Sequence, residues 1–302
     1  MKNYKEEILR LKKEKNAAIL AHYYVRDEIQ ELADYVGDSY YLSKIGLKLD
    51  AEIIVFCGVS FMAECAKILS PHKKVLLPNT NAKCFMVEMA SKEDLLKMKK
   101  KYKNAKVVSY VNSSTEVKAL SDACCTSSNA YNVIKNIDGD EIIFVPDKHL
   151  GSHIQEKFPD KNLILWDGFC SVHNNIEAED ILNYKEKFDS KIIVLVHPEC
   201  KKEVRNLADF VGSTGQIIDY VGKCYSKEFL VVTEDGILYE LKNRYPDKIF
   251  HSLNTICDPM KSITLEDLHN SLLLEKNEIT LEESLRESAS KSLLKMLELA
   301  VK

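Results

Sequence analysis

Short, nearly continuous aliphatic runs punctuate the chain at regular intervals, with charged, amphipathic stretches between them. One set is AAILAHYY from Ala17, AKVVSYVN from Ala105 and KIIVLVHPE from Lys191. A second is AEIIVFC from Ala51, DEIIFVP from Asp140 and KEFLVVT from Lys227; a third is KVLLP from Lys74, NLILW from Asn162 and KIFHS from Lys248. Runs without polar alternation read as strands buried on both faces, which is how parallel sheets covered by helices are written. After each third run the pattern turns helical, at Glu93-Asp94-Leu95, Glu179-Asp180-Ile181 and Glu266-Asp267-Leu268.

The order of these elements is a repeat. EIQELADYVGDS from Glu28, EVKALSDACCTS from Glu116 and EVRNLADFVGST from Glu203 align without gaps, 88 and 87 residues apart. Self-similarity at a fixed period is the signature of a repeated supersecondary unit. The expected fold is α/β: three doubly wound, Rossmann-like domains with parallel sheets about a pseudo-threefold axis. Their expected boundaries are 1–104 with an N-terminal helix, 105–190, and 191–302 with a C-terminal helix. Sheets of this kind bind ligands outside the carboxyl ends of their strands, so three around one axis can aim their loops at a common centre.

The polar residues support that geometry. Six positions before the repeated Glu stand His22, Tyr110 and His197, and two positions further on Tyr24, Asn112 and Glu199. All six fall at the carboxyl ends of the first strands. Eleven positions after the Glu come Ser39, Ser127 and Thr214, hydroxyls suited to carboxylates or phosphate. A lone histidine or tyrosine at a strand end is ordinarily packing; these are singled out because all three repeats keep polar or ionisable groups there.

Composition narrows the chemistry. Of 302 residues, 45% are hydrophobic and 29% charged, with a net charge of −4, which excludes both disorder and the basic footprint of a nucleic-acid binder. Lys99–Lys101 reads as a solvated helix end. The longest apolar stretch, Ile53 to Ala63, is broken by Gly58 and Ser60, so no membrane span is expected, and Met1 to Lys15 lacks the apolar core of a signal peptide. The expected location is the cytoplasm, where nine cysteines do not mean disulfides. No Cys-x-x-Cys pair occurs, but Cys84, Cys170 and Cys257 follow the third run of each repeat, 86 and 87 residues apart. One cysteine after a strand is usually a small buried hydrophobe. Three about a threefold axis form a triangle suited to three irons of a [4Fe-4S] cluster, leaving the fourth iron open as a Lewis acid. Cys57, Cys65, Cys124, Cys125, Cys200 and Cys224 have no such counterparts and read as structural thiols.

The motifs AHYY at Ala21, GDSY at Gly37, GVSFMAE at Gly58, NTNAKCFM ending at Met86, SYVNSS at Ser109, WDGFCSVH at Trp166, HPEC at His197, GSTG at Gly212 and NTICDPM ending at Met260 resemble, in order and spacing, the quinolinate synthase family along nearly the whole chain. The resemblance implies a [4Fe-4S] cluster on Cys84, Cys170 and Cys257. It also implies condensation of iminoaspartate with dihydroxyacetone phosphate to quinolinate, phosphate and water on a route to NAD, with an aspartate oxidase or dehydrogenase supplying the imine. The substrate-binding set it implies is His22, Ser39, Tyr110, Val111, Asn112, Ser127, His197, Pro198, Glu199 and Thr214. Tyr24 and His173 join His22, Tyr110, His197 and Glu199 as catalytic candidates, with Glu199 as general base. Some family members carry further cysteines beside the third ligand; Cys257 here stands alone, which argues against a disulfide switch.

Other readings compete. A hydro-lyase of the aconitase kind uses a similar cluster but has a larger architecture than this repeat. A non-catalytic protein with zinc on the three cysteines gives no reason for polar residues to recur at strand ends. A Rossmann nucleotide binder lacks its Gly-x-Gly-x-x-Gly loop.

Overall fold

A computed structural model describes residues 4–187 and 192–301. The expected boundary at 190/191 lies outside the described residues. Three four-stranded, all-parallel sheets carry the chain. The first unit holds β1 (Ala17–His22), β2 (Tyr35–Gly37), β3 (Ile53–Cys57) and β4 (Lys74–Leu76); the second β5 (Lys106–Tyr110), β6 (Ala123–Cys125), β7 (Glu141–Val145) and β8 (Asn162–Leu165). The third holds β9 (Ile193–Val196), β10 (Phe210–Val211), β11 (Glu228–Val232) and β12 (Ile249–Ser252). The orders are β2-β1-β3-β4, β6-β5-β7-β8 and β10-β9-β11-β12, one topology three times. The expected α/β fold of three repeated units is what the chain adopts.

Each unit has four strands where the hydrophobic pattern gives three. The extra strand is the second in every case, an edge strand of two or three residues inside the repeated block. Such a strand is too short to show a period. The cysteines therefore follow the fourth strand of each unit, not the third.

The repeated Leu-(Ala/Ser)-Asp is what starts these edge strands. Asp34 Oδ2 accepts the Ile19 amide at 2.8 Å, Asp122 Oδ2 that of Val107 at 2.8 Å, and Asp209 Oδ2 that of Val194 at 2.8 Å. In return each aspartate amide donates to the carbonyl of the same residue, all at 2.9 Å. This two-way clasp ends the preceding turn and fixes the register in which the edge strand joins.

A second triple sits two residues after the repeated Glu, where Gln30, Lys118 and Arg205 are all buried. Each holds the loop after its unit's first strand and reaches into a neighbouring unit. Gln30 donates to the Tyr23 and Val25 carbonyls and across to that of Gly236 at 3.0 Å. Arg205 donates to the Cys200 carbonyl at 2.8 Å and across to that of His149 at 3.2 Å. Lys118 donates to the Ser113 carbonyl and lies over the Phe61 ring, 5.5 Å from its centroid. Three buried donors thus close a ring of seams and fix the strand-end loops relative to one another.

The chain ends close the assembly. Helix Tyr4–Glu14 packs on helix Leu265–Leu274, and residues 277–279 pair with β4 through Leu77 N to Asn277 O (3.1 Å) and Ile279 N to Val75 O (2.8 Å). Helix Glu283–Leu299 follows the third unit in sequence but packs across the first and second, Ser292 Oγ donating to the Lys118 carbonyl at 2.8 Å. Among the described residues no helix is long and apolar enough to cross a membrane.

Candidate functional site

The carboxyl ends of the three first strands open into one cavity. His22 is the last residue of β1, Tyr110 the last of β5, and His197 follows β9 directly. With Tyr24, Asn112 and Glu199 they line the cavity, as do Ser39, Ser127 and Thr214 from the turns after the second strands. Cys84, Cys170, Cys257 and His173 line it too. Val111 and Pro198 are buried but are not among its lining residues; Val111 donates its amide to the Cys125 carbonyl at 2.9 Å. Glu234, Asp38, Thr126, Phe61 and Met62 were not expected there and also line it, as do Val59, Val172 and Met260.

His22 and His197 are equivalent in detail as well as position. In each, Nδ1 accepts the amide two residues on, from Tyr24 at 3.2 Å and Glu199 at 3.4 Å. An accepting Nδ1 assigns the proton of the neutral ring to Nε2. Burial lowers both imidazoles from 6.5 to about 3, so both stay neutral at working pH.

That depression has a consequence for stability. Below pH 6.5 the unfolded chain takes up protons that the folded histidines refuse, so each histidine makes stability fall as pH drops from 6.5 towards about 3. Replacing His22 by asparagine should flatten this limb by up to about 1.4 kcal/mol per pH unit. Denaturation midpoints across the window check it: parallel wild-type and variant curves would mean His22 titrates alike in both states.

The centre of the cavity is a hydrogen-bonded chain. Glu199 is buried, and its Oε1 accepts from the Tyr110 hydroxyl while Oε2 lies 2.9 Å from His173 Nδ1. A carboxylate only accepts, so His173 donates through Nδ1, and its Nε2 is hydrogen-bonded to Thr233 Oγ1 at 2.8 Å. Thr233 Oγ1 is hydrogen-bonded in turn to Tyr24 Oη at 2.8 Å, and Tyr24 Oη to Thr214 Oγ1 at 2.8 Å. His173 also stacks on His197, centroids 4.5 Å apart and planes 20° from parallel. Five side chains from all three units therefore form a path from Glu199 to Thr214 along which protons can move.

Two buried carboxyls are driven apart. Burial raises Glu199, but the His173 hydrogen bond, the neighbouring imidazoles and the Tyr110 hydroxyl more than offset it and hold the carboxyl below its ordinary range. Asp147 goes well above its usual range through burial and the Glu199 charge. Carboxyls separated in this way make Glu199 the more readily ionised of the two. Tyr24 and Tyr110 are pushed well up, chiefly by burial, and remain phenols able to donate.

The thiols share one geometry. Each cysteine immediately precedes a helical turn, Phe85–Met89, Ser171–Asn174 or Asp258–Lys261. Each sulfur receives a backbone N–H from that turn, from Met86 and Val87, His173, and Met260 respectively. Burial nonetheless pushes Cys84 up to about 12, Cys257 up to about 11 and Cys170 well above its ordinary value. Such thiols become thiolates only against a cationic partner, as a bound metal provides. Among the described residues, the donors found within 4.8 Å of one another, as for a single ion, are those of Cys170, His173 and Glu199. The three thiols share the cavity.

The sequence profile of the Quinolinate synthetase A protein family matches residues 6–298. The chain belongs to that family. It is 58% identical over 298 residues to the quinolinate synthase of Clostridium acetobutylicum, covering 98% of both chains. It is 55% identical over 294 residues to that of Clostridium perfringens strain 13 (97% of both) and 53% over 298 residues to that of Caldicellulosiruptor saccharolyticus (98% of both).

Proposed function

We propose that this protein is a quinolinate synthase of NAD biosynthesis, acting in the cytoplasm, which condenses iminoaspartate with dihydroxyacetone phosphate to give quinolinate, phosphate and water. The observation that carries the reading is the delivery, by equivalent loops of three units, of three thiols and one ionised carboxylate into one cavity. Cys84, Cys170 and Cys257 would hold a [4Fe-4S] cluster, whose open iron supplies Lewis acidity when bound. Membership of the quinolinate synthetase A family supports the same choice.

The protein's own groups take the remaining roles. Glu199 is the general base, held ionised between Tyr110 and His173. Tyr24 supplies protons through Thr233 and His173, while the neutral His22 and His197 offer hydrogen bonds from Nε2. Ser39, Ser127 and Thr214, with Tyr110 and Asn112, bind the substrates' carboxylates and phosphate. Asn112 Oδ1 and Thr126 Oγ1 are buried without a protein partner, leaving two polar atoms for a bound molecule to satisfy. Holding two small anions in register supplies much of the rate enhancement. The three functional units are residues 1–104, 105–190 and 191–302, and an aspartate oxidase or dehydrogenase provides the imine.

A single divalent ion on Cys170, His173 and Glu199 is the second reading, favoured by their mutual closeness. It leaves Cys84 and Cys257 without purpose and breaks the His173–Glu199 hydrogen bond. Metal analysis of protein purified without oxygen separates the two. About four irons and four sulfides per chain, with quinolinate formed from the imine and dihydroxyacetone phosphate, is the expected result. One zinc per chain and no quinolinate would overturn the proposal.

A further inference from the structure

Two carboxyl groups outside the ligand set hold the backbone of two of the three cysteines from equivalent places, although Glu234 also reaches the cavity and pairs with Lys261 at 3.2 Å. Asp147 follows β7 and Glu234 follows β11, 87 residues apart, the same interval as Cys170 and Cys257. Both are fully buried. Asp147 Oδ2 accepts the Cys170 amide at 3.0 Å while Oδ1 accepts that of Leu150 at 2.7 Å. Glu234 Oε1 accepts the Cys257 amide at 3.3 Å while Oε2 accepts that of Gly236 at 2.7 Å. The backbone repeats the arrangement alongside, Lys148 N bonding Gly168 O at 2.8 Å and Asp235 N bonding Thr255 O at 2.9 Å.

Each carboxylate thus spans two segments. One oxygen holds the chain that begins the next helix, and the other holds the backbone of the cysteine after the neighbouring strand. Burying a carboxylate is costly, and doing so twice in register calls for a return. The first unit differs. Val59 stands in the corresponding place; the equivalent backbone bond, Ser60 N to Ala82 O at 2.8 Å, is kept, but the apolar side chain offers no carboxyl group to the segment that carries Cys84.

We propose that Asp147 and Glu234 are positioning residues that set the direction of the Cys170 and Cys257 thiols towards the metal centre, Cys84 being held without such a partner. The assignment rests on the cluster reading above. It separates two thiols whose backbone is clamped from one whose backbone is not. The clamp acts through the cysteine amides, so it bears on retention of the centre as well as on the local fold.

Asp147→Asn and Glu234→Gln keep the shape but replace one accepting oxygen with a donor that faces an N–H. After anaerobic reconstitution, iron release to a chelator should be about ten times faster in each variant, in keeping with the usual effect of removing a group that orients a ligand. The cluster's electron paramagnetic resonance spectrum should shift, whatever the fall in melting temperature of the iron-free chain that the mispaired N–H brings. Asp147→Glu and Glu234→Asp keep the charge and move the oxygen by one methylene; they give the same readout should the amide variants fail to fold, with a smaller acceleration expected. Wild-type release rates and spectra in folded variants would overturn the positioning role while leaving the cluster intact. A scaffold role alone would lower the melting temperature of the empty chain and leave release unmoved, which also overturns it. Wild-type protein that takes up no iron would instead remove the cluster reading itself.

Discussion

Replacing Cys84, Cys170 or Cys257 by serine, one at a time, should abolish the iron–sulfur absorbance of anaerobically reconstituted protein and lower quinolinate formation by at least about 10³-fold, the scale on which losing a metal Lewis acid is felt. Cys224→Ser should do neither. The four thiols look alike in a composition count but not in the structure. The first three precede equivalent helical turns, line the common cavity and receive backbone N–H groups. Cys224 ends helix Thr214–Lys223 outside that cavity, its carbonyl accepting Lys248 Nζ at 2.7 Å. A serine hydroxyl fills nearly the same volume as the thiol, so folding should survive in all four and the iron content isolates ligation. Equal loss of absorbance in the four variants, or retention in all, would undo the assignment of ligands by repeat position.

How far this site was legible depended on whether its residues recur. The repeated aspartates Asp34, Asp122 and Asp209 could be seen as a pattern, yet their purpose could not, because the clasp joins a side chain to an amide fifteen residues earlier. The buried central strands announce themselves, since a strand covered on both faces must be apolar throughout. The edge strands β2, β6 and β10 do not, because two or three residues carry no periodicity. Within the cavity, His22, Tyr110 and His197 were found by register, and so were the thiols. Asp147 and Glu234 obey the same register but were hidden because the first unit has the apolar Val59 at that place, which breaks the triple. His173 has no counterpart of its kind, and only resemblance to a family pointed to it. Its place between Cys170 and Glu199 could not be read from one chain.

Glu199→Gln should lower kcat by about 10² to 10⁴, the usual worth of a general base, with KM little changed and the iron content at the wild-type value. The isosteric amide keeps the volume of a buried side chain and one accepting oxygen. It removes the charge and turns the second oxygen into a donor facing either the Tyr110 hydroxyl or His173 Nδ1, both of which donate in the native arrangement. Part of the loss will therefore come from a disturbed network, and Tyr110→Phe measures that part. It takes away one donor to the carboxylate but leaves the base, so its effect on kcat should be much smaller. With the Tyr110 hydrogen bond gone, one influence that holds the carboxyl low is lost, and the acid limb of the kcat profile should move upward in pH. If Tyr110→Phe instead matched Glu199→Gln in size, the phenol would be the group that transfers the proton and Glu199 the group that orients it. Near-normal turnover by Glu199→Gln would place the base elsewhere in the cavity, with the Tyr24–Thr233–His173 path then the remaining route for the proton.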